Sequence, residues 1–376
     1  MIKGRKAFLG LLSLVLLMAL TGAILLRGQP LSLLWANLKH MDPWMLLPGL
    51  GMMFGYVGCE ALCTRRILGR LGHPVPYRYC LGYSMIGFYV SSITPSATGG
   101  QPAQIYYMSR DGIPAAHGAL NMMLIASCYQ TASLIWSVGV WLTVPSIRRM
   151  TKGGLGLLLL YGACMMILLT AGMVLCMFLP GPARRVCGFI LKLLTLIHIV
   201  RRPEEAQARL ERTLNEYREG AECIRGNPGL AAQILVLCLI QQGMLFSVPW
   251  TVYRAFGLSG AEWLQVAGLQ ALLTLAVCNI PLPGAVGPAE GGFVAAFAAI
   301  FGEELVTPAM LVSRGISFYA FLAVSFAAAI AVQIRVSRQV RRRILKELSE
   351  ERGGERVEAV REYLERTDET GAFYKP

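Results

Sequence analysis

The sequence predicts an all-α fold: a polytopic transmembrane helix bundle with two inverted repeats, each containing a broken or re-entrant helical hairpin. Three observations predict it. Of the 376 residues, 55% are hydrophobic and 15% charged. The apolar residues fall in long blocks without alternating polarity, such as Leu155 to Leu160 and Ala327 to Val332, which favours spanning helices over a barrel. Two clusters of Pro and Gly interrupt that apolar sequence, Ser92 to Pro102 and Pro281 to Gly292. Neither can continue a helix, because Pro lacks an N–H and Gly takes turn dihedrals freely. Finally, Lys and Arg crowd alternate connections between the apolar blocks.

Lys3, Arg5 and Lys6 precede the apolar run Ala7 to Leu26, which is as long as a span and closes on no A-x-A site, so it reads as an uncleaved anchor. Trp44 to Thr64 is the second span, with Glu60 near its end, where the side chain can snorkel to the interface. Tyr79 to Thr94 runs into the first break, and a helix restarts over about Pro102 to Met108. Both pieces are short for the ~30 Å hydrocarbon core, so a re-entrant hairpin is expected, with two tilted spans giving the same topology. Ala115 to Val144 and Leu155 to Leu179 are full spans. Residues 180–228 carry alternating Arg and Glu with Leu210, Leu214, Tyr217 and Ala221 at helical spacing, an amphipathic helix for the membrane surface. Gly229 to Phe256 crosses again. Ala261 to Cys278 leads into the second break, Phe293 to Phe301 follows it, and Leu305 to Gln333 is the last span. Residues 1–335 thus form one transmembrane domain, and 336–376 a charged cytoplasmic tail.

Orientation follows from the 35 Lys and Arg. Arg27, Lys39, Arg148, Arg149, Lys152 and Arg254 fall on one side, Arg314 lies within a span, and all the others fall on the opposite side. The positive-inside rule puts both termini in the cytoplasm of a multi-pass cell-membrane protein. In that orientation the first hairpin opens inward and the second outward. Span, hairpin, span therefore recurs with inverted topology, an arrangement used by transporters, whose broken backbone is tolerated at depth where protein or a water-filled cavity satisfies it.

The ten cysteines lie almost all within apolar runs and the four histidines are far apart, without Cys-x-x-Cys repeats or an HExxH pattern, so no metal or other cofactor is expected. No GxxxxGK[ST] loop is present. The net charge of +13 reflects topology and an anionic inner leaflet rather than nucleic-acid binding.

At three places the chain resembles the lysylphosphatidylglycerol synthase transmembrane region, also called the flippase-like domain family. These are Thr94-Pro95-Ser96-Ala97-Thr98-Gly99-Gly100-Gln101, the stretch Pro281-Leu282-Pro283-Gly284-Ala285-Val286-Gly287-Pro288-Ala289-Glu290, and Ser313-Arg314-Gly315. The resemblance covers roughly 7 to 335. It implies a membrane domain that moves lipids between leaflets; in full-length synthases a soluble domain follows that transfers lysine from aminoacyl-tRNA to phosphatidylglycerol. About forty residues follow the last span here, short of a usual domain, and no transferase domain is expected among them. The family pattern commonly has an acidic residue and an Arg after the first break, where Gln101 and Gln104 stand.

These residues make up a candidate lipid-headgroup site. Arg314, inside a span at a cost of at least ~2.5 kcal/mol if bare, either holds a lipid phosphate by bidentate donation or pairs with Glu290 and locks the fold. Glu290, in the first turn of the restarted helix, stabilises its dipole or binds a proton or an amino headgroup. Gly99, Gly100, Gly287 and Gly291 expose N–H groups near helix starts or pack helices closely; Gln101 and Gln104 add uncharged donors. Tyr106 and Tyr107 read as packing or interface aromatics. The leading expectation is a lipid translocator for anionic or aminoacylated phospholipids such as phosphatidylglycerol or lysyl-phosphatidylglycerol, driven by a gradient or coupled ion. The alternatives are a phosphatidylglycerol lysyltransferase and a scaffold for a partner lipid enzyme.

Overall fold

The computed structural model describes residues 39, 41–94, 97–150, 154–179, 185, 203–277, 280, 282 and 285–351. The anchor expected at Ala7 to Leu26 lies outside them, as do Pro95 and Pro283. Every regular element among the described residues is helical. After a short 3-10 turn (Pro43–Leu46) come α1 (Leu47–Arg70), α2 (Tyr77–Ser92), α3 (Gly100–Arg110), α4 (Ala115–Thr143), α5 (Pro145–Met150) and α6 (Gly154–Phe178). Then follow α7 (Pro203–Arg225), α8 (Pro228–Ala255), α9 (Trp263–Val277), α10 (Pro288–Phe301), α11 (Val306–Arg314), a π-helical turn (Gly315–Ala320) and α12 (Phe321–Glu351). The chain divides into two compact units, Met1–Phe326 and Ala327–Pro376. The first holds all the elements up to the π turn, and the second consists, among the described residues, of the rest of α12.

Among the described residues, five helical stretches are long and apolar enough to cross a membrane: Pro43–Arg70, Ala115–Thr143, Gly156–Phe178, Pro228–Ala255 and Val306–Gln339. They coincide with the five full spans expected between Trp44 and Gln333. Large apolar side chains stand exposed along them, Leu157 at 71% and Leu168 at 66%. Such a surface is stable in lipid and not in water, so the chain is a multi-pass membrane protein.

Within the first unit, α1 and α8 pack along one another, and α4 packs on both. Arg66 of α1 donates to Gln233 of α8 at 2.6 Å, and α1 continues past the Thr64 end expected from hydropathy to Arg70. Small residues bring α9 against α4 and α6. A Cβ on Gly268 would sit 2.1 Å from Val140, and one on Gly162 would sit 2.2 Å from the Leu275 carbonyl oxygen.

The helix α2 folds back on α3. Gly87 lies under Gln104 and Gly100 lies against Ser91, while Tyr83 donates to Asp111 at 2.5 Å. Contacts pairing later residues of α2 with earlier ones of α3 define an antiparallel hairpin. Gly100 is required there, since a Cβ would lie 2.7 Å from the Gly87 carbonyl oxygen. The restarted helix begins at Gly100, earlier than the expected Pro102. Pro102 is tolerated because first-turn N–H groups have no helical partner anyway. In the second break α10 begins at Pro288, the favoured first position, and its Gly292 packs onto Leu273 of α9.

The amphipathic helix expected for the membrane surface forms as α7, and the C-terminal part of its apolar face packs on protein. Ala221 and Ile224 are buried in the same core cluster as Leu120, Leu230 and Ile234, and Tyr217 donates to the Cys176 carbonyl at 3.4 Å. Burying those residues against α4, α6 and α8 removes the same apolar area from water that lipid would.

Candidate functional site

The two breaks have the same local form. Among the described residues, Ala97 and Ala285 are the non-glycine residues with positive φ, at 54° and 49°. Each donates its N–H back three residues, Ala97 to Thr94 at 3.2 Å and Ala285 to Leu282 at 3.1 Å. Each stands three residues before a helix start, at Gly100 and Pro288. A left-handed L-residue costs about 1–2 kcal/mol, a strain that persists where the surroundings over-determine it.

Both breaks reach one place. Ile93 of the first and Val286 of the second are buried together with Phe318 of the π turn. Beside that cluster lies a cavity of about 490 Å³ whose wall includes both left-handed alanines. The rest of the wall comes from α1, α2, α3, α4, α8, α9, α10, α11 and the π turn. Phe88, Ile125, Leu245, Leu273 and Phe293 give its lining apolar surface, and Gln101, Gln104, Gln130, Gln241, Gln270 and Thr274 add polar groups. Pro249 also lines it; lying inside α8, it removes the hydrogen bond to the Leu245 carbonyl and weakens the helix where it borders the cavity.

Charge enters at two points. On one wall Arg314 Nε donates to Glu290 Oε1 at 2.8 Å, with the two side chains 16% and 3% exposed. Glu290 Oε2 accepts the Gly287 N–H at 2.6 Å, and Tyr319 donates to Oε1 at 3.4 Å. The Arg314 guanidinium also lies 4.5 Å from the centre of the Phe318 ring. Glu290 therefore caps α10, the helix-start role expected of it, and at the same time pairs with Arg314. Arg314 is the last residue before the π turn, an irregularity frequent at functional sites, and that turn carries Ser317 and Phe318 onto the same wall.

Glu60 also lines the cavity, and its Oε1 accepts from Gln104 Nε2 at 2.9 Å. No Lys, Arg or His pairs with it among the described residues. Tyr56 and Tyr129 line the same cavity, their hydroxyls 3.2 Å apart. Among the described residues no three His, Cys, Asp or Glu side chains converge as metal ligands would.

The model of the lysylphosphatidylglycerol synthase TM region matches residues 8–325, which take in both breaks, the cavity and Arg314. The chain belongs to this family. No curated protein matches it.

Of the candidate residues in this lysylphosphatidylglycerol synthase TM region, Gln101, Gln104 and Arg314 line the cavity, and Glu290 is held to it through Arg314. The glycines are placed otherwise. The Gly99 N–H donates to Thr94 Oγ1 at 3.1 Å and the Gly287 N–H to Glu290, while Gly100 is consumed by helix packing and Gly291 faces open space. Tyr106 and Tyr107 are packed edge to face, 5.3 Å between ring centres.

Sequence reasoning passed over several cavity residues. Glu60 does not snorkel: ten residues of helix separate it from Arg70, about 15 Å at 1.5 Å per residue, and it turns inward to Gln104. Gln130, Gln241 and Gln270 stand within apolar helices, which was the available signal, since a buried amide needs partners or a polar cavity.

Proposed function

We propose that this protein translocates phospholipids between leaflets, with the headgroup passing through the cavity where the two helix breaks meet and the acyl chains remaining in lipid. The observation that carries the reading is the convergence of both breaks, with their matching left-handed alanines, on one polar-walled cavity inside an apolar bundle. Its volume of about 490 Å³ falls within the range of small-ligand sites and suits a headgroup rather than a whole lipid. Arg314, which lines the cavity and is held there by Glu290, supplies a guanidinium suited to bidentate donation to a lipid phosphate.

The two hairpins enter the membrane from opposite faces as inverted repeats, and both termini lie in the cytoplasm of a cell-membrane protein. Their cargo is an anionic or aminoacylated phospholipid such as phosphatidylglycerol or lysyl-phosphatidylglycerol. The family and the apolar helices support a membrane role, and the lysyltransfer and scaffold readings gain no further observation. The test is reconstitution of the full chain into liposomes carrying tail-labelled phospholipids. Translocation faster than in empty vesicles is expected, and rates equal to empty vesicles across several lipids and imposed ion gradients would overturn the proposal.

A further inference from the structure

The antiparallel register of α1 and α8 brings polar side chains together deep in the bundle. Arg66 bonds to Gln233, the Cys63 thiol to that of Cys238, and Gly55 lies against the Met244 sulfur. Between the last two pairs that register sets Glu60 beside Gln241, and both line the cavity. From α3, Gln104 donates its Nε2 to Glu60 Oε1 at 2.9 Å. Turned over, the amide would aim its oxygen at the carboxylate, so that bond fixes which end is which. Gln104 and Gln241 are 5% and 1% exposed, and the Oε1 of each is buried without a hydrogen-bond partner. Amide oxygens withheld from water and left unbonded are costly.

Charge adds to the demand. Arg314 is matched by Glu290 at 2.8 Å, whereas Glu60 has no cationic side chain against it among the described residues. One negative charge is left over, inside a membrane bundle where a bare carboxylate is expected to find a counter-charge. A proton on Glu60 would cancel that charge but could donate to only one acceptor. A metal ion bonds several oxygens at once. The donors are all oxygen, which suits a hard cation, and one carboxylate is too little charge for calcium, whose sites gather several. We propose that Glu60, Gln104 and Gln241 hold a sodium ion, and that this ion is the one whose gradient drives translocation. Bound there, sodium ties α3 of the first hairpin to the α1 and α8 pair, so its arrival and departure act on the helix that follows the first break. The coupling rests on the cavity being the translocation path; the ion site does not.

Thermal unfolding of the full chain in detergent, at fixed pH and ionic strength with sodium exchanged for potassium or N-methylglucamine, reads the site without any lipid transport. Sodium is expected to raise the unfolding midpoint saturably, as a ligand of the native state does, and the other two cations are not. Glu60→Gln keeps the shape of the side chain and removes its charge, and its midpoint is expected to ignore sodium. Gln241→Met removes an acceptor without touching charge. It should raise the half-saturating sodium concentration by about tenfold, the size of one interaction with a charged group, which keeps the site testable if Glu60→Gln does not fold. In liposomes, a sodium gradient at equal pH is expected to speed translocation of tail-labelled phosphatidylglycerol over equal sodium on both sides, and Glu60→Gln to lose that dependence. Sodium-specific stabilisation without any translocation supports the ion site and sinks only the carrier reading. Sodium-specific stabilisation with translocation that ignores the gradient supports the site and overturns the coupling. Equal midpoints in the three cations overturn the site and leave translocation intact. A midpoint that follows pH and not sodium also overturns it, assigning Glu60 to a proton instead.

Discussion

At the scale of single residues, the Glu290–Arg314 pair shows how one carboxylate serves two neighbours. Its Oε2 caps the start of α10 through the Gly287 N–H, and its Oε1 holds Arg314. Removing either partner strands the other charge in a nearly dry site, so Arg314→Gln should destabilise the protein by about 3 kcal/mol. Glu290→Gln retains a carbonyl oxygen for the Gly287 N–H and should cost less. The double variant should cost less than the two single changes combined, because the second change no longer breaks a pair. A double-mutant cycle from denaturant unfolding in detergent measures this, and strictly additive losses would show that the pair is not coupled. The sequence made Glu290 legible as a helix-start residue and Arg314 as an intramembrane charge. It gave no sign that Glu60 faces a cavity, because position along a helix does not reveal which neighbour the residue turns toward.

At the scale of elements, the hairpin of α2 and α3 depends on backbone approach more than on side-chain bulk. Gly100 sits against Ser91 and the Gly87 carbonyl, and Thr94 closes the end of α2 with its hydroxyl on the Val90 carbonyl at 2.8 Å while accepting the Gly99 N–H. Gly100→Ala should push the two helices apart at a cost of about 1–3 kcal/mol. Gly291→Ala, facing open space in α10, should be neutral or slightly stabilising by helix propensity. Thermal unfolding of the two variants in the same detergent checks the contrast, and equal effects would show that the α2–α3 contact does not set stability. Pro and Gly made the breaks predictable. Their left-handed alanines were not, since Ala carries no sequence signal for positive φ and is held there only by the surrounding packing.

At the scale of the whole molecule, the proposed opposite insertion of the two hairpins would place their open ends on opposite faces of the membrane. Ser109 at the end of α3 and Glu303 after α10 are both exposed. In a cysteine-free background, Ser109→Cys and Glu303→Cys should react with a membrane-impermeant thiol reagent from opposite sides of oriented vesicles. Labelling of both from one side would remove the inverted arrangement while leaving the shared cavity in place.

What the sequence by itself determined was the kind of solvent this chain is built for and the points where its helices stop. Long apolar blocks specify spans because burial in hydrocarbon depends on local length and hydropathy, and Pro and Gly specify breaks because their constraints are confined to neighbouring bonds. Only the tertiary structure decided that Ile93 meets Val286, that α7 packs on α4, α6 and α8, and that Glu60, Gln104 and Gln241 line one cavity with Arg314. Those outcomes depend on how helices distant in the chain pack against one another, and the energy that selects one packing is spread over many small contacts that no single stretch of sequence contains.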